Sequence, residues 1–170
     1  QPFVNSVNLS PVQLMRGNST ETWLAQFVAA DLGADGLVLE ITEGVLLNDN
    51  SEVSQKLLQL RQAGMQISLD DFGTGYSSLS YLNKLPIDYL KIDKSFVWDI
   101  EDNPACHAMV EAIIVMAHKL NLKVIAEGVE SDVQRTLLQN AGCDFAQGYL
   151  YSGALPAPQF EARFIGQPSA

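Results

Sequence analysis

Ile67-Ser68-Leu69-Asp70-Asp71-Phe72-Gly73-Thr74-Gly75-Tyr76-Ser77-Ser78 combines a short apolar strand, two adjacent carboxylates and a glycine loop. Ile67 and Leu69 share one side of the predicted strand, which places Ser68 and Asp70 on the other side. Neighbouring acids at the end of an apolar strand repel each other and resist desolvation, and a bound cation relieves both costs. Carboxylate oxygens favour Mg²⁺, Mn²⁺ or Ca²⁺. An isolated Asp-Asp pair also suits a solvated turn, so the rest of the chain decides between these interpretations.

The composition is that of one globular domain spanning residues 1–170. Hydrophobic residues make up 47% of the 170 residues and the mean hydropathy is +0.06, which is enough apolar material for a core. The sequence has no signal peptide and no apolar run long enough to span a bilayer, so we expect no membrane contact by this segment. Cys106 and Cys143 have neither metal-site spacing nor a disulfide pattern, and two reduced cysteines fit a cytoplasmic protein.

The charge of the chain restricts its ligands. A net charge of −10 and a pI of about 4.4 disfavour binding to a nucleic-acid polymer, because the protein and the phosphate backbone repel each other. A small phosphorylated ligand is still compatible with this surface if metal ions supply the positive charge.

Strands and helices alternate along the sequence with short connections. The predicted strands are residues 3–9, 37–42, 67–70, 89–93, 122–126 and 144–148. The predicted helices are residues 20–32, 51–63, 77–84, 104–120, a helix that starts at Ser131, and residues 156–164. This alternation is typical of parallel βα units.

Two closures suit such units, an open doubly wound sheet or a (β/α)₈ barrel. Polar groups at the end of every strand favour the barrel, whose ligand site lies at the carboxyl ends of its strands. A barrel usually needs roughly 250 residues, and we count six strands. We therefore predict an α/β fold of the modified TIM type, incomplete, with about six of eight strands.

Polar residues alternate with apolar neighbours near several strand ends. They are Asn8, Glu40, Asp70, Lys91 and Asp93. The apolar neighbours are expected to pack outward against helices, so these polar side chains should point into the barrel. Glu127 and Gln147 also lie at strand ends, but their alternation does not decide which way they point.

Four carboxylates and one amide in this pattern suit two divalent ions. Glu40, Asp70, Asp71 and Glu127, with Asn8 beside them, supply oxygen ligands, and a carboxylate bridging ions about 3.5–4 Å apart suits phosphoryl chemistry. A lysine among these acids, Lys91, would stay cationic, and it would orient an attacking water or offset charge on a phosphate oxygen.

Parts of the sequence match motifs of other kinds of site, but the remaining residues of those motifs are absent. Gly73-Thr74-Gly75 follows a strand as a dinucleotide-binding loop does, but the third glycine is absent and two aspartates would repel a pyrophosphate. Asp71-Phe72-Gly73 matches a kinase tripeptide without the other kinase motifs. His107 and His118 would lie about 16 Å apart along one helix and cannot share a metal ion.

The motifs together resemble the EAL-domain family of cyclic di-GMP phosphodiesterases. The matching stretches are Val7-Asn8-Leu9-Ser10-Pro11, Leu39-Glu40-Ile41-Thr42-Glu43, Asp70 through Ser78, Leu90-Lys91-Ile92-Asp93 with Ser95-Phe96-Val97, Ala126-Glu127-Gly128-Val129-Glu130 and Gln147-Gly148-Tyr149. The resemblance implies a modified TIM barrel that opens cyclic di-GMP to linear pGpG with Mg²⁺ or Mn²⁺.

The resemblance also implies a set of metal ligands. Asn8 and Glu40 would bind one ion, Asp70 would bridge two ions, and Asp71 and Glu127 would bind the second.

Further roles follow from the same resemblance. Lys91 would position the nucleophilic water, with Asp93 nearby. Glu43 would steady the loop after the Asp-Asp strand, Gln147 would line the site, and Glu130 would support it.

Two departures from the family pattern affect the functional prediction. The Glu-Ala-Leu signature, whose glutamate is a metal ligand, does not occur, and we expect an N-terminally truncated domain that lacks this ligand. Ser152-Gly153-Ala154 stands where a basic residue and proline are usual.

Three functions follow from the resemblance: a phosphodiesterase, a receptor that binds cyclic di-GMP without cutting it, and an interaction domain without a ligand. The retained acids and Lys91 favour the enzyme, and the missing glutamate favours the other two. The loop from Gly73 to Ser78 resembles a segment that couples dimer contacts to activity. We therefore expect a homodimer linked to upstream sensor or regulatory domains, located in the cytoplasm either free or as the cytoplasmic part of a membrane-anchored protein.

Overall fold

Six parallel strands form one sheet in the computed structural model, which describes residues 4–16, 20–29, 33–45, 51–75, 82 and 84–165. The strands are β1 (Asn5–Asn8), β2 (Leu37–Thr42), β3 (Gln66–Phe72), β4 (Tyr89–Ile92), β5 (Lys123–Ala126) and β6 (Phe145–Ala146). Their order in the sheet is the order in the chain, and every neighbouring pair is parallel. The sheet curls into a half-barrel, which is the closure that the polar groups at the strand ends favour over an open sheet.

Helices connect the strands and cover the outer face of the sheet. They are α1 (Pro11–Arg16), α2 (Thr20–Ala29), α3 (Ser51–Gln62), α4 (Lys94–Trp98), α5 (Pro104–Lys119), α6 (Asp132–Asn140) and α7 (Ala157–Phe160), which continues as a π-helical turn over Glu161–Ile165. Short 3₁₀ turns lie at Ala34–Gly36 and Glu43–Val45. The predicted helix 77–84 falls outside the described residues except for Leu82 and Lys84. Within the described part of the chain, no helix has the length and apolar character needed to cross a membrane.

Two helices were not predicted because they are too short to show a helical repeat of apolar residues. One is α1, with six residues, and the other is α4, with five. The Asp93 carboxylate begins α4 by accepting hydrogen bonds from the backbone N–H of Ser95 at 2.9 Å and from its hydroxyl at 2.5 Å. Asp93 therefore ends β4 and caps the next helix at the same point.

The core lies between the sheet and its helices. The apolar residues that alternate with the candidate site residues are all nearly inaccessible to solvent. They are Leu39, Ile41, Leu69, Leu90 and Ile92, each at most 3% exposed. Fully burying such a side chain contributes roughly 1.5–3 kcal/mol, so this packing fixes which residues face inward. The predicted inward direction of Glu40, Asp70 and Lys91 follows from it.

A close approach between two chain segments extends the sheet beyond β5 and β6. The backbone N–H of Val129 donates to the carbonyl of Gln147, and that of Leu150 donates to the carbonyl of Val129, both at 3.0 Å. Gly148 lies between these bonds, and a Cβ atom there would lie 2.2 Å from the Val129 carbonyl oxygen. Only glycine allows the two backbones to come this close.

Replacing Gly148 by Ala should therefore destabilise the fold by roughly 3 kcal/mol, because two backbone segments must separate to accommodate the methyl group. Gly153→Ala is the matched control, since its Cβ would meet Tyr149 at an ordinary 3.6 Å, and it should change stability by about 0.5 kcal/mol or less. Urea unfolding at neutral pH measures both. Equal stabilities of the two variants would contradict the role assigned to Gly148.

Candidate metal-binding active site

Lys91 lies at the centre of a group of carboxylates at the carboxyl ends of the strands. Its ammonium Nζ is 3.0 Å from Glu40 Oε2 on β2, 3.0 Å from Asp70 Oδ1 on β3 and 2.5 Å from Glu127 Oε1, directly after β5. The residue is only 2% exposed, and Glu40 is 9% exposed. The structure thus brings together four of the predicted site residues from four successive strands.

The contacts of Lys91 fix its protonation state. Burial would lower the pKa of Lys91, but hydrogen bonds to Glu127, Asp70 and Glu40 together raise it above its usual range. Lys91 therefore keeps its proton at neutral pH and acts as a hydrogen-bond donor, so it cannot serve as a general base.

The carboxylate of Glu127 is partly buried, so its negative charge is poorly solvated. Burial raises its pKa, an effect opposed by the hydrogen bond and charge of Lys91 and reinforced by Asp70 and Glu40. Gln147 also donates to Glu127, with its Nε2 2.7 Å from Oε1. Two donors on one oxygen hold this carboxylate in a single orientation.

A bulge in β3 allows the carboxylates of the adjacent Asp70 and Asp71 to lie close together. Leu69 is paired with Leu90 and Phe72 with Ile92, so β3 has one more residue than β4 across this interval. Asp71 has a φ of 57°, a left-handed conformation that aspartate tolerates better than most residues. Neighbouring residues of a regular strand point to opposite faces, and the bulge removes that restriction.

Asp70, Asp71 and Glu127 form a group that can hold a metal ion. One carboxylate oxygen from each lies within 4.8 Å of the others. Oxygen ligands on opposite sides of one Mg²⁺ ion are about 4.2 Å apart, so a small inward movement suffices for binding. Burial and the charges of Asp70 and Asp93 raise the pKa of Asp71, and a divalent cation would relieve this repulsion. The all-oxygen donor set fits the predicted Mg²⁺ or Mn²⁺.

The other predicted ligand pair lies on the neighbouring strands. Asn8 on β1 is directly opposite Glu40 on β2, so both residues face the same side of the sheet. Asn8 is exposed at the edge of the described sheet, and Glu40 is held by Lys91. Their joint binding of an ion stays a prediction.

Three residues with predicted supporting or catalytic roles, Glu43, Asp93 and Glu130, lie around the carboxylate group. Glu43 Oε1 accepts a hydrogen bond from the backbone N–H of Gly73 at 2.9 Å, and its loop-steadying role stays a prediction. A Cβ at Gly75 would lie 2.5 Å from Glu43 Oε2, so glycine permits the close approach. Asp93 caps α4, as described above, and its catalytic role stays a prediction. Glu130 lines a neighbouring cavity rather than the carboxylate group.

The comparisons with family models, curated proteins and solved structures all point to the same family. A family model described as EAL domain matches residues 1–154. The cyclic di-GMP phosphodiesterase NbdA of Pseudomonas aeruginosa is 42% identical over 156 residues, which are 92% of this chain and 20% of NbdA. The chain spans about a fifth of the length of the curated relatives that it matches.

Solved structures agree with the fold. The EAL enzyme Bd1971 in its cAMP- and cyclic-di-GMP-bound form superposes with a TM-score of 0.88 at 38% identity, over 93% of this chain and 42% of that one. A manganese and cyclic di-GMP complex of Klebsiella pneumoniae BlrP1 gives a TM-score of 0.80 at 33% identity, over 88% of this chain and 38% of that one. These similarities confirm the predicted TIM-barrel-like architecture.

The position of Lys91 predicts a stability that depends on metal ions. Replacing Lys91 by Met leaves buried carboxylates without their cation, which should lower the free energy of unfolding by about 3–5 kcal/mol in EDTA. Excess Mn²⁺ should recover part of this loss, because it supplies positive charge to the same oxygens. Urea unfolding in EDTA and in Mn²⁺ measures the difference.

Lys56→Met provides the control for the loss of a partly buried lysine. Lys56 binds Glu52 at 3.3 Å and the Leu14 carbonyl at 3.0 Å, and none of its described contacts involves the carboxylate group. Its loss of stability should be the same in both solutions. A Lys91→Met variant that is equally destabilised with and without Mn²⁺ would argue against the internal-cation role of Lys91.

Proposed function

Because the chain belongs to the EAL domain family, we propose that it is a metal-dependent phosphodiesterase that hydrolyses cyclic di-GMP to linear pGpG in bacterial second-messenger signalling. The observation that carries the proposal is the contact of Lys91 with Glu40, Asp70 and Glu127 beside Asp71. Curated relatives named as cyclic di-GMP phosphodiesterases support the choice of substrate.

The proposed ligands divide between two metal positions. Asp70, Asp71 and Glu127 would hold one Mg²⁺ or Mn²⁺ ion, and Asn8 and Glu40 would hold the other, with Asp70 shared. Such ions neutralise charge on the phosphate and lower the pKa of a bound water. The four carboxylates balance the charge of two divalent ions, and Lys91 adds one positive charge that suits a phosphodiester anion.

The side chains of the protein would then act by position and charge. The water oxygen forms a bond to phosphorus while the bond from phosphorus to the 3′ oxygen breaks, which leaves a 5′-phosphate and a 3′-hydroxyl. Lys91, with its raised pKa, donates a hydrogen bond that orients the water or a phosphate oxygen. Glu127, held by Lys91 and Gln147, presents a fixed carboxylate to the reacting group. Asp93 would hold the end of β4 beneath them.

The proposal extends to the setting of the domain. A homodimer, linked upstream sensor or regulatory domains and a cytoplasmic location stay predictions. A receptor that binds cyclic di-GMP without cutting it is the alternative, since the glutamate of the Glu-Ala-Leu signature does not occur in this sequence.

Hydrolysis tests the proposal. The chain incubated with cyclic di-GMP and Mn²⁺ should give pGpG by chromatography, and EDTA should abolish the product. Glu127→Gln should lower kcat by about 100-fold or more, because the variant loses a charged group aimed at the reacting centre.

Glu111→Gln on α5 is the control, since its described contact is with His107 on the same helix, and it should turn over at the wild-type rate. Binding of cyclic di-GMP without product would identify a receptor or an inactive fragment of the domain instead, and adding the upstream strands of the family would separate these two. Unchanged turnover in Glu127→Gln would show that the catalytic role belongs to other residues.

A further inference from the structure

Gln134 is a buried polar residue that lies outside the candidate active site. It is in the first turn of α6 and is only 6% exposed. Its side-chain oxygen Oε1 accepts hydrogen bonds from the backbone N–H groups of Glu130 at 2.8 Å and Ser131 at 3.1 Å. This amide oxygen therefore holds the backbone that precedes the helix, because without it both N–H groups would lose this partner.

Residues 127–131, here called the connecting segment, lead from β5 to α6. The backbone N–H of Glu127 donates to the Ile92 carbonyl at 3.1 Å, and this bond continues the pairing of β5 with β4. The next residue, Gly128, has a φ of 69°, in the left-handed region that glycine adopts most readily. Regular strand geometry therefore ends at Glu127, and contacts with other elements fix the direction of the chain beyond it.

Backbone contacts hold the connecting segment from two sides. On the sheet side, the buried Val129 donates to the Gln147 carbonyl and accepts from the Leu150 N–H, both at 3.0 Å. On the helix side are the two hydrogen bonds to Gln134 Oε1. Gln134 thus supplies the attachment of this segment to α6.

The sheet side of the connecting segment is in turn connected to the candidate metal site. Gln147, whose carbonyl binds Val129, also donates from Nε2 to Glu127 Oε1 at 2.7 Å. The Glu127 carboxylate belongs to the group that can hold a metal ion with Asp70 and Asp71. A closed circuit of contacts therefore fixes Glu127, since it runs along the backbone to Val129, across to Gln147 and back to the Glu127 carboxylate.

Gln134 also takes part in the cap of α6. Its backbone N–H donates to Ser131 Oγ at 3.0 Å, so Ser131 and Gln134 form a reciprocal capping box. The Ser131 hydroxyl itself donates to Glu101. Mutation can separate two roles here, because Ser131 Oγ stabilises the end of the helix whereas Gln134 Oε1 holds the connecting segment.

We propose that Gln134 is a positioning residue for the candidate metal site. By accepting the two backbone N–H groups, it keeps the connecting segment in the arrangement in which the Glu127 carboxylate lies near Asp70 and Asp71. Replacing a residue that orients a metal ligand without touching the metal typically weakens binding by roughly 10–100-fold. This role rests on the proposed function for the identity of the metal and of the reaction.

The affinity for Mn²⁺ tests this role without turnover, with the whole chain and Mn²⁺ alone as the probe. Gln134→Met removes the acceptor and is similar in length, so Mn²⁺ should bind about tenfold or more weakly. Gln134→Glu keeps an acceptor oxygen that suits a capping box, and it should restore the affinity to within about threefold of the parent chain. Electron paramagnetic resonance of the free ion measures both affinities.

Amide hydrogen exchange gives a second readout that needs no metal. In Gln134→Met the N–H groups of Glu130 and Ser131 should exchange at least about tenfold faster than in the parent chain, because they lose their acceptor. Gln134→Glu should keep the slow exchange.

Two further variants separate positioning from the stability of α6. Ser131→Ala removes the cap and the contact with Glu101 but leaves Gln134 Oε1 as an acceptor. It should lower the urea midpoint while weakening Mn²⁺ binding by less than about threefold. Gln139→Met, at an exposed position of the same helix, is the matched control and should bind Mn²⁺ like the parent chain.

Unchanged Mn²⁺ affinity in Gln134→Met would overturn the inference, as would an equal loss in Ser131→Ala or Gln139→Met, no recovery in Gln134→Glu, or no binding by the parent chain at millimolar Mn²⁺. Turnover of cyclic di-GMP by the same preparations separates the two proposals. The predicted order of Mn²⁺ affinities without turnover in the parent chain leaves the inference standing against the phosphodiesterase. Turnover with an unaffected Mn²⁺ affinity in Gln134→Met does the reverse.

Discussion

The candidate site and the strands that carry it depend on one interaction, the contact of the Lys91 ammonium with three largely buried carboxylates. Carboxylates removed from water are costly unless they are paired, and Lys91 is within 3.0 Å of Glu40, Asp70 and Glu127. The three acids come from different strands, so Lys91 also joins β2, β3 and the end of β5 to β4. Two of these carboxylates, Asp70 and Glu127, also lie close enough to Asp71 to hold a metal ion with it. Stability and the proposed chemistry therefore depend on the same few atoms.

The alternation of side chains along parallel strands creates this group. Leu39, Leu69 and Leu90 pack outward into the core, and their polar neighbours are consequently directed into the half-barrel. Because the strands are parallel, their carboxyl ends meet at one edge, where the bulge in β3 adds Asp71 and the residue after β6 adds Gln147.

The sequence predicted much of this arrangement because period-two patterns and buried apolar residues are local signals. The structure has the six predicted strands, and it directs Glu40, Asp70 and Lys91 inward as their alternation predicts. The bulge at Asp71 was not predictable, because it depends on pairing with β4. The helix capped by Asp93 is too short for a periodic signal. The direction of Gln147 was left open, since β6 has only two residues, and its contact with Glu127 depends on tertiary packing.

The most direct test of the central claim is the location of a metal ion. Crystals of the chain grown or soaked with Mn²⁺, with data collected near the manganese absorption edge, give an anomalous difference map that shows the ion without reference to activity. A peak within bonding distance of Asp70, Asp71 and Glu127 is the predicted result. The account would be contradicted if no peak appeared there while Lys91 kept its three carboxylate contacts, because the acid group would then serve stability alone.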